Sequence, residues 1–304
     1  MHEQLLELER SFNRSVLTQI NDPILSAHDI QLFLKRDDLL HSVISGNKWR
    51  KLKYILNHAL SLNVQKIISM GGSFSNHLHA LAYVGKKLGL ATEGFIRGEP
   101  HANPTLDDLT DWGMKLTFIS RSDYRELRNY AEWNALPGLK QGEYWLPEGG
   151  ALKWALQGVA ESVAEIDQDY DMICVPCGTG TTLAGVIESA PLTSQILGFS
   201  ALKGGHFLVN DVTKRLSVPR SNWRVNTDYH FGGFAKTTQE LTDFMSAFTK
   251  TNSIELDRVY TAKMIFGLYD LIKKRNIPPG QKIIAIHTGG IQGNRGFTAD
   301  ATTN

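Results

Sequence analysis

Strand-like and helix-like segments alternate along most of the chain, and this alternation limits the possible fold more than any other feature. Short apolar segments typical of strands occur at 31–36, 66–70, 91–97, 115–119, 143–146, 171–175, 195–200 and 282–286. Patterns typical of helices occur at 49–62, 76–88, 104–112, 124–133, 152–166, 183–189, 238–249 and 258–274. Because the connections are short and rich in turn residues, the sequence predicts an α/β protein built from βαβ units with mostly parallel sheets.

Length and charge narrow the class of protein. The 304 residues are enough for two domains or one large α/β unit. The 32 Lys and Arg residues nearly balance the 31 Asp and Glu residues, so no surface for nucleic acid is predicted. No apolar segment approaches the ~20 residues of a membrane helix, and residues 1–10 do not resemble a signal peptide. We therefore expect a cytoplasmic protein with no nucleic-acid or membrane partner.

The chain has two cysteines, Cys174 and Cys177, in the order Cys-Val-Pro-Cys. This spacing is compatible with a redox pair. Two observations argue against a redox pair. Cys174 ends an apolar strand pattern, and Cys177 leads directly into a glycine and threonine loop whose residues suit the binding of a phosphate. No further zinc ligands lie nearby in the sequence, so no metal site is predicted.

Four loops rich in glycine or hydroxyl groups follow predicted strands, at 45–48, 71–77, 177–182 and 287–290. In open α/β sheets, ligands bind at the carboxyl ends of the strands. In the third loop, Gly178 and Gly180 let the backbone approach closely, and the next helix start suits a phosphate. This loop lacks the lysine of a Walker loop and has Leu183 where a dinucleotide fingerprint needs glycine. A tight turn before a helix is the alternative.

Two other loops add a lysine and a second anion site. Lys48 lies at a predicted helix start, with Arg50 and Lys51 after it. Since the helix dipole repels cations there, these charges make sense if the site receives an anion. The alternative is a solvated basic helix start.

In the second loop, at 71–77, helix N–H groups and the Ser75 hydroxyl suit a carboxylate. The alternative is that Ser75 or Asn76 is simply an N-cap.

A lysine, a phosphate loop and a second anion site on one sheet edge point to pyridoxal phosphate (PLP). Lys48 would form the Schiff base, the loop at 177–182 would hold the phosphate, and the second site would bind the carboxylate of a small amino-acid substrate. An α/β protein that binds another phosphate ester is the alternative.

Five segments, taken in order, resemble the 1-aminocyclopropane-1-carboxylate (ACC) deaminase and D-cysteine desulfhydrase family of fold type II PLP enzymes. They are Ser-Gly-Asn-Lys-Trp-Arg-Lys-Leu at 45–52, Ser-Asn at 75–76, Thr-Gly-Thr-Thr at 179–182, Val-Tyr-Thr at 259–261 and His-Thr-Gly-Gly at 287–290. The resemblance implies a tryptophan synthase β-like fold with two three-layer αβα domains. A large PLP-binding domain would comprise 1–49 and 157–304, and a small inserted α/β domain would comprise 50–156. Relatives are often dimers, so a homodimer is expected.

The resemblance also implies a role for each matching residue. Lys48 is the Schiff-base lysine and, once freed by the substrate amine, the base for the Cα proton. The residues implied to bind the cofactor are Asn47, Lys48, Lys51, Asn76, Gly178, Thr179, Gly180, Thr181, Thr182, Thr261 and Thr288, with Asn76 near the ring hydroxyl. The residues implied to bind the substrate are Ser75, Asn76 and His77. Ser75 and Tyr260 join Lys48 as catalytic residues, and the Tyr260 phenol would assist the leaving group. An ordinary buried tyrosine is the alternative for Tyr260.

Two positions separate the branches of this family. The deaminases carry Glu after the Tyr of Val-Tyr and Leu after the His of His-x-Gly-Gly, whereas the desulfhydrases carry Thr at both. This chain has Thr261 and Thr288. A hydroxyl at the pyridine nitrogen supports a weaker electron sink than a carboxylate does, and expelling a thiolate is easier than opening a ring. We therefore expect β-elimination from D-cysteine to pyruvate, ammonia and hydrogen sulfide, with ACC deamination as the alternative.

Three features depart from the family pattern. Phe234 takes the place of a second active-site tyrosine, Trp49 follows the lysine where relatives have a small residue, and Gln-Gly-Asn-Arg follows the last motif at 292–295. Loss of the tyrosine hydroxyl removes a hydrogen-bonding and acid/base group. A PLP-binding relative with little catalytic activity is therefore a further alternative.

Overall fold

The computed structural model describes residues 1–44 and 46–298, so Ser45 of the lysine motif lies outside the described residues. The strands are β1 (Leu17–Ile20), β2 (Gln31–Lys35), β3 (Lys66–Gly71), β4 (Ala91–Arg97), β5 (Met114–Ile119), β6 (Glu143–Leu146), β7 (Met172–Cys177), β8 (Gln195–Ser200), β9 (Trp223–Asn226) and β10 (Lys282–Ile286). The helices are α1 (Glu3–Glu9), α2 (Pro23–Ala27), α3 (Asn47–Ser61), α4 (Asn76–Leu88), α5 (Pro104–Asp111), α6 (Arg121–Leu127), α7 (Ala155–Ala164), α8 (Thr181–Ser189), α9 (Phe207–Thr213), α10 (Gln239–Asn252), α11 (Thr261–Lys273) and α12 (Arg295–Thr298). None of these described helices combines the length and apolar character needed to cross a membrane.

The described chain divides into two compact units. The first contains Met1–Asn13, Leu40–Gly158 and the described residues from Gln292 on, and the second contains Arg14–Leu39 and Val159–Ile291. The division into a large domain at 1–49 and 157–304 and a small domain at 50–156 stays a prediction.

The first unit contains a parallel sheet in the order β5-β4-β3-β6. Strand β3 is buried on both faces, since Ile67 packs into one hydrophobic cluster and Ile68 and Met70 into another. Successive side chains of a strand point to opposite faces. Both faces of this strand are therefore covered, as the βαβ pattern of the sequence predicts.

Helix α3 packs into the core of the first unit along one side. Its fully buried residues Leu52, Ile55, Leu56 and Ala59 follow the spacing of one helix face. Next to them, a Cβ atom added at Gly158 would lie 1.7 Å from the backbone oxygen of Arg50. Glycine therefore lets the two backbones touch and fixes the position of the first turn of α3.

The second unit contains a six-stranded sheet in the order β1-β2-β10-β7-β8-β9, in which only the β1–β2 pair is antiparallel. Every residue of β7 is buried, as in strands covered on both faces. Ala285 of β10 pairs with Cys174 of β7 in parallel register. The loops that follow β7 and β10 consequently leave the sheet at the same edge.

The prediction of an α/β protein with mostly parallel sheets is confirmed. The edge strands β1 and β9 were not predicted, and the helix predicted at 124–133 is instead Arg121–Leu127. It begins earlier because the Ser120 hydroxyl accepts a hydrogen bond from the Asp123 N–H at 3.1 Å. The segment after it is held elsewhere, since the Tyr130 carbonyl accepts from the indole of Trp145 at 2.7 Å.

Cys174 and Cys177 are both buried, free thiols on β7. Because they lie three residues apart on a strand, their side chains point to opposite faces of the sheet. Burial raises the pKa of the Cys177 thiol to about 12 and raises that of Cys174 as well. A redox pair is not compatible with this arrangement.

Candidate active site

Lys48 lies in the first turn of α3. The helix is preceded by its N-cap residue Gly46, whose positive φ of 64° suits glycine and which has no side chain that could cap the helix. The half-buried Lys48 donates a hydrogen bond from Nζ to Oδ1 of Asn47 at 2.5 Å. The amine is thus held beside the start of the helix by the neighbouring amide.

The two other cations of this motif, Arg50 and Lys51, are buried. Lys51 Nζ donates to the backbone oxygen of Gly149, which ties α3 to the turn after β6. A solvated basic helix start does not fit this burial.

Helix α4 begins with a group of donors. Ser75 is its N-cap, because the Ser75 Oγ accepts from the Leu78 N–H at 3.2 Å. The first helical hydrogen bond runs from the His79 N–H to the Ser75 carbonyl at 3.0 Å, so the N–H groups of Asn76 and His77 precede it. The cap uses a lone pair of the Ser75 oxygen and leaves its hydroxyl hydrogen available to an anion.

The His77 side chain is directed into the first unit. Ser69 donates its hydroxyl hydrogen to the Leu146 carbonyl at 2.7 Å, so the Ser69 oxygen accepts from His77 Nε2 at 2.9 Å. Burial, and then the charges of Lys51 and Lys48, lower the pKa of His77 well below its ordinary value. The imidazole is therefore neutral at pH 7, and the backbone N–H is the part of His77 suited to a carboxylate.

The loop between β7 and α8 forms an anion-binding helix start in the second unit. Gly180 is the N-cap of α8 with φ of +76°, and as a glycine it has no side chain that could cap the helix. The first helical bond, from the Ala184 N–H to the Gly180 carbonyl, is 2.9 Å long. The hydroxyl oxygens of Thr179 and Thr181 lie 3.1 Å apart. The N–H groups before that bond and these hydroxyls supply donors for a phosphate.

The start of α11 is fixed by Asp257. This carboxylate, 1% exposed, accepts hydrogen bonds from the backbone N–H groups of Val259, Tyr260 and Thr261 at 3.1, 2.8 and 2.7 Å. Thr261 is fully buried, and its Oγ1 has no hydrogen-bond partner within the described chain. A buried hydroxyl without a partner is uncommon, and it points to a polar group of a ligand.

Tyr260 lies against the loop after β7. A Cβ atom added at Gly178 would be 3.1 Å from a ring carbon of Tyr260 and 3.2 Å from its phenol oxygen. The half-buried Tyr260 ring also meets Phe234 edge-on, with 6.0 Å between ring centroids. An ordinary core tyrosine does not fit this partly open position.

Thr288 is buried just beyond β10, at the same sheet edge. The preceding His287 donates from Nε2 to the Glu255 carbonyl at 2.8 Å, so its Nδ1 accepts from the Gly289 N–H at 3.3 Å. These bonds hold the turn that carries Thr288.

The structure thus groups the predicted residues within each unit. The first unit holds Asn47, Lys48, Lys51, Ser75, Asn76 and His77. The second unit holds Gly178, Thr179, Gly180, Thr181, Thr182, Tyr260, Thr261 and Thr288.

Two supporting residues of the second unit were missed from the sequence. Asp257, three residues before Tyr260 at a predicted helix start, carried a capping signal that could have been read. Lys263 is buried, burial lowers its pKa to about 8, and its amine donates to the carbonyls of His230 and Gly233 at 2.9 and 2.8 Å. It holds the segment that leads to Phe234, and no local pattern marks a lysine for that task.

Comparison with known proteins identifies the family. A family model described as pyridoxal-phosphate dependent enzyme matches residues 18–289. The chain belongs to this family. PLP is accordingly its cofactor, and the prediction of a fold type II PLP enzyme is confirmed.

Similar members of the family are deaminases by name. A putative ACC deaminase of Pyrococcus horikoshii is 32% identical, over 96% of each chain. The bifunctional D-cysteine desulfhydrase/ACC deaminase of Arabidopsis thaliana, described as mitochondrial, is 29% identical over 86% of this chain and 73% of its own. The crystal structure of an ACC deaminase homologue matches with a TM-score of 0.77 and 27% identity, covering 99% of this chain and 98% of that one.

The residues of the chain fit PLP. The unpartnered Thr261 hydroxyl offers a partner for a polar ring atom. Gly180 keeps the helix start open for a phosphate, because its φ of +76° and the closeness of Val212 exclude a side chain. Lys48 supplies an amine beside a helix start.

Proposed function

We propose that this PLP-dependent enzyme is a lyase that catalyses β-elimination from a small D-amino acid, with D-cysteine as substrate. The observation that carries the proposal is the buried Thr261 hydroxyl at the start of α11. In the family that the sequence resembles, the ACC deaminases have a glutamate at this position. When bound, PLP withdraws electrons from the substrate Cα. A neutral hydroxyl at the ring nitrogen weakens that withdrawal, which suits the departure of a thiolate better than the opening of a carbon ring.

Residues of the first unit bind the cofactor and the substrate. Lys48 would hold the cofactor through its side-chain amine, and the same amine, when free, would be placed to take the Cα proton. Asn47 keeps that amine in place through its Oδ1. The Ser75 hydroxyl and the N–H groups of Asn76 and His77 bind the substrate carboxylate.

Residues of the second unit bind the phosphate and assist the leaving group. The N–H groups and hydroxyls of 179–182 bind the phosphate. Tyr260, whose phenol lies over Gly178, donates a proton to the departing sulfur. With one water taken up, D-cysteine gives pyruvate, ammonia and hydrogen sulfide.

ACC deamination is the second candidate, supported by the 32% identity to a relative with that name. The Arabidopsis relative, whose name carries both activities, supports testing both on one preparation. Phe234 in place of a tyrosine supports a third reading, a PLP-binding protein with little turnover.

The test compares wild type with Lys48→Ala. Visible absorption of bound PLP is measured first, then sulfide and pyruvate from D-cysteine and from L-cysteine, and ammonia from ACC. We expect PLP absorption that depends on Lys48, and sulfide from D-cysteine in preference to L-cysteine. If ammonia is released from ACC but no sulfide from D-cysteine, ACC deamination replaces D-cysteine cleavage as the function. If neither substrate is converted, the result favours a PLP-binding protein with little turnover.

Thr261→Val tests the hydroxyl itself, because valine has the same shape and no hydrogen-bonding group. We expect it to bind PLP and to lower the rate of sulfide release about tenfold, as for one lost hydrogen bond of ~1.5 kcal/mol. Thr261→Ser, which restores the hydroxyl, is the matched control. Equal rates for the valine variant and wild type would remove the observation on which the proposal rests.

The proposal includes a cytoplasmic homodimer that acts on a small amino acid. Light scattering on the purified protein measures the mass directly, and a monomer at working concentration would remove the dimer from the proposal.

A further inference from the structure

The side chain of Asn76, assigned above to the cofactor ring, is contacted by a residue from the end of the described chain. Gln292 donates a hydrogen bond from Nε2 to Oδ1 of Asn76. Both residues belong to the first unit. Gln292 lies in the 292–295 segment, one of the three features that depart from the family pattern.

The orientation of the Gln292 amide follows from its other partners. Arg295 Nη2 lies 3.1 Å from Gln292 Oε1, and the Thr105 hydroxyl lies 2.9 Å from the same oxygen. A guanidinium can only donate, so the atom of Gln292 that faces Arg295 must be its oxygen. The amide nitrogen of Gln292 therefore faces Asn76, and the atom of Asn76 that meets it must be the acceptor, Oδ1.

Arg295 is itself held from two sides. Its Nη2 lies 2.5 Å from Oδ2 of Asp108, and its Nε donates to the Gln292 carbonyl at 3.2 Å. Asp108 also contacts His79 Nε2 at 3.0 Å through the same carboxylate oxygen. Arg295, which orients the Gln292 amide, is thus held by Asp108 of α5, and Asp108 in turn contacts His79 of α4.

These contacts turn Oδ1 of Asn76 toward Gln292 and leave its N–H groups as the donors it can offer to a ligand. Its Oδ1 is occupied by Gln292, and its Nδ2 has no hydrogen-bond partner among residues 1–44 and 46–298. We propose that Gln292 is a positioning residue that turns the Asn76 amide so that its N–H group, rather than its oxygen, faces the ring oxygen of PLP. The inference rests on the proposed assignment of Asn76 to the cofactor. A donor at that oxygen stabilises its deprotonated form and strengthens cofactor binding.

Gln292→Glu is the sharpest variant, because it keeps the size of the side chain and its contacts with Arg295 and Thr105. A carboxylate can only accept, so Asn76 must turn its Nδ2 toward position 292 and its oxygen toward the cofactor. We expect the Kd for PLP to rise roughly tenfold. The pH at which the visible absorption of bound PLP changes should rise by about 1 pH unit. Thr105→Val, which removes one donor to Gln292 but leaves Arg295, should keep both values near wild type.

The same change in the Asn76→Ala background separates positioning from other effects of the new charge. If Gln292 acts through Asn76, Gln292→Glu should change neither the Kd nor the pH midpoint once Asn76 is absent. The inference is overturned if the full effect persists in that background, or if Gln292→Glu behaves as wild type while wild type binds PLP. A wild-type protein that binds no PLP would overturn the proposed function as well, so the two failures are distinguishable.

Discussion

At the scale of single residues, Gly180 meets two separate constraints. Its φ of +76° disfavours any side chain, and a Cβ atom there would lie 2.8 Å from Cγ2 of Val212. We expect Gly180→Ala to lower the free energy of unfolding by about 3 kcal/mol, the sum of backbone strain and overpacking. It should also weaken PLP binding. Urea unfolding and PLP titration measure the two effects.

Gly204→Ala is the matched control for that prediction. Gly204 has a similar φ of +72°, but an added Cβ atom would meet nothing within 4 Å. This variant should show only the strain of about 1 kcal/mol and bind PLP normally. Equal losses in both variants would mean that the contact with Val212 has no effect.

The lowered pKa of His77 should make the folded protein less stable at acid pH. Because its folded pKa is lowered well below the ordinary 6.5, the unfolded chain takes up a proton below that pH and the folded chain does not. Stability from this residue is present above pH 6.5 and is lost as the pH falls, by about 1 kcal/mol per pH unit. Urea unfolding at pH 7.5 and 5.5 should show a larger loss for wild type than for His77→Gln. A loss of the same size in both proteins would contradict this cause.

The sequence predicted single residues well where a local pattern carried the information. Gly180 and Ser75 could be assigned to helix starts because turn and capping residues act within a few positions. The contact of His77 with Ser69 and that of Gln292 with Asn76 could not be predicted, because the tertiary structure and not the local sequence brings these side chains together.

At the scale of elements, the start of α11 depends on one carboxylate. Asp257→Asn keeps the shape but replaces one accepting oxygen with a donor, so at least one of the three N–H groups that it binds loses its partner. We expect the free energy of unfolding to fall by about 2 kcal/mol, with weaker PLP binding because Thr261 shifts. Urea unfolding and PLP titration check both effects. Asp243→Asn on the exposed face of α10 is the control and should change neither.

Central strands were easier to predict than edge strands. The strand predicted at 66–70 is Lys66–Gly71, buried at nearly every position, so its apolar run was clear. Strand β9 contains Arg224 and Asn226 and has no fully buried residue, so its sequence does not differ from that of a loop. Hydrogen bonds to β8 make it a strand, and these are not visible in local sequence.

At the scale of the whole molecule, each unit has its own sheet and hydrophobic core. Unfolding without PLP should therefore occur in two calorimetric transitions. PLP at 100 times its Kd should stabilise a unit whose residues bind it by up to ~2.7 kcal/mol. The midpoint of that unit's transition should rise by several degrees. A shift confined to one transition would remove the residues of the other unit from the assignment.

The contact between Gln292 and Asn76 joins residues 216 positions apart. A ribosome adds about 5–20 residues per second, so Asn76 is synthesised roughly 10 to 40 seconds before its partner exists. During that interval the nascent chain can form α4 but has nothing to turn the Asn76 amide. If Gln292 positions Asn76 as proposed, the full affinity for the cofactor is reached only after Gln292 has emerged, late in biosynthesis.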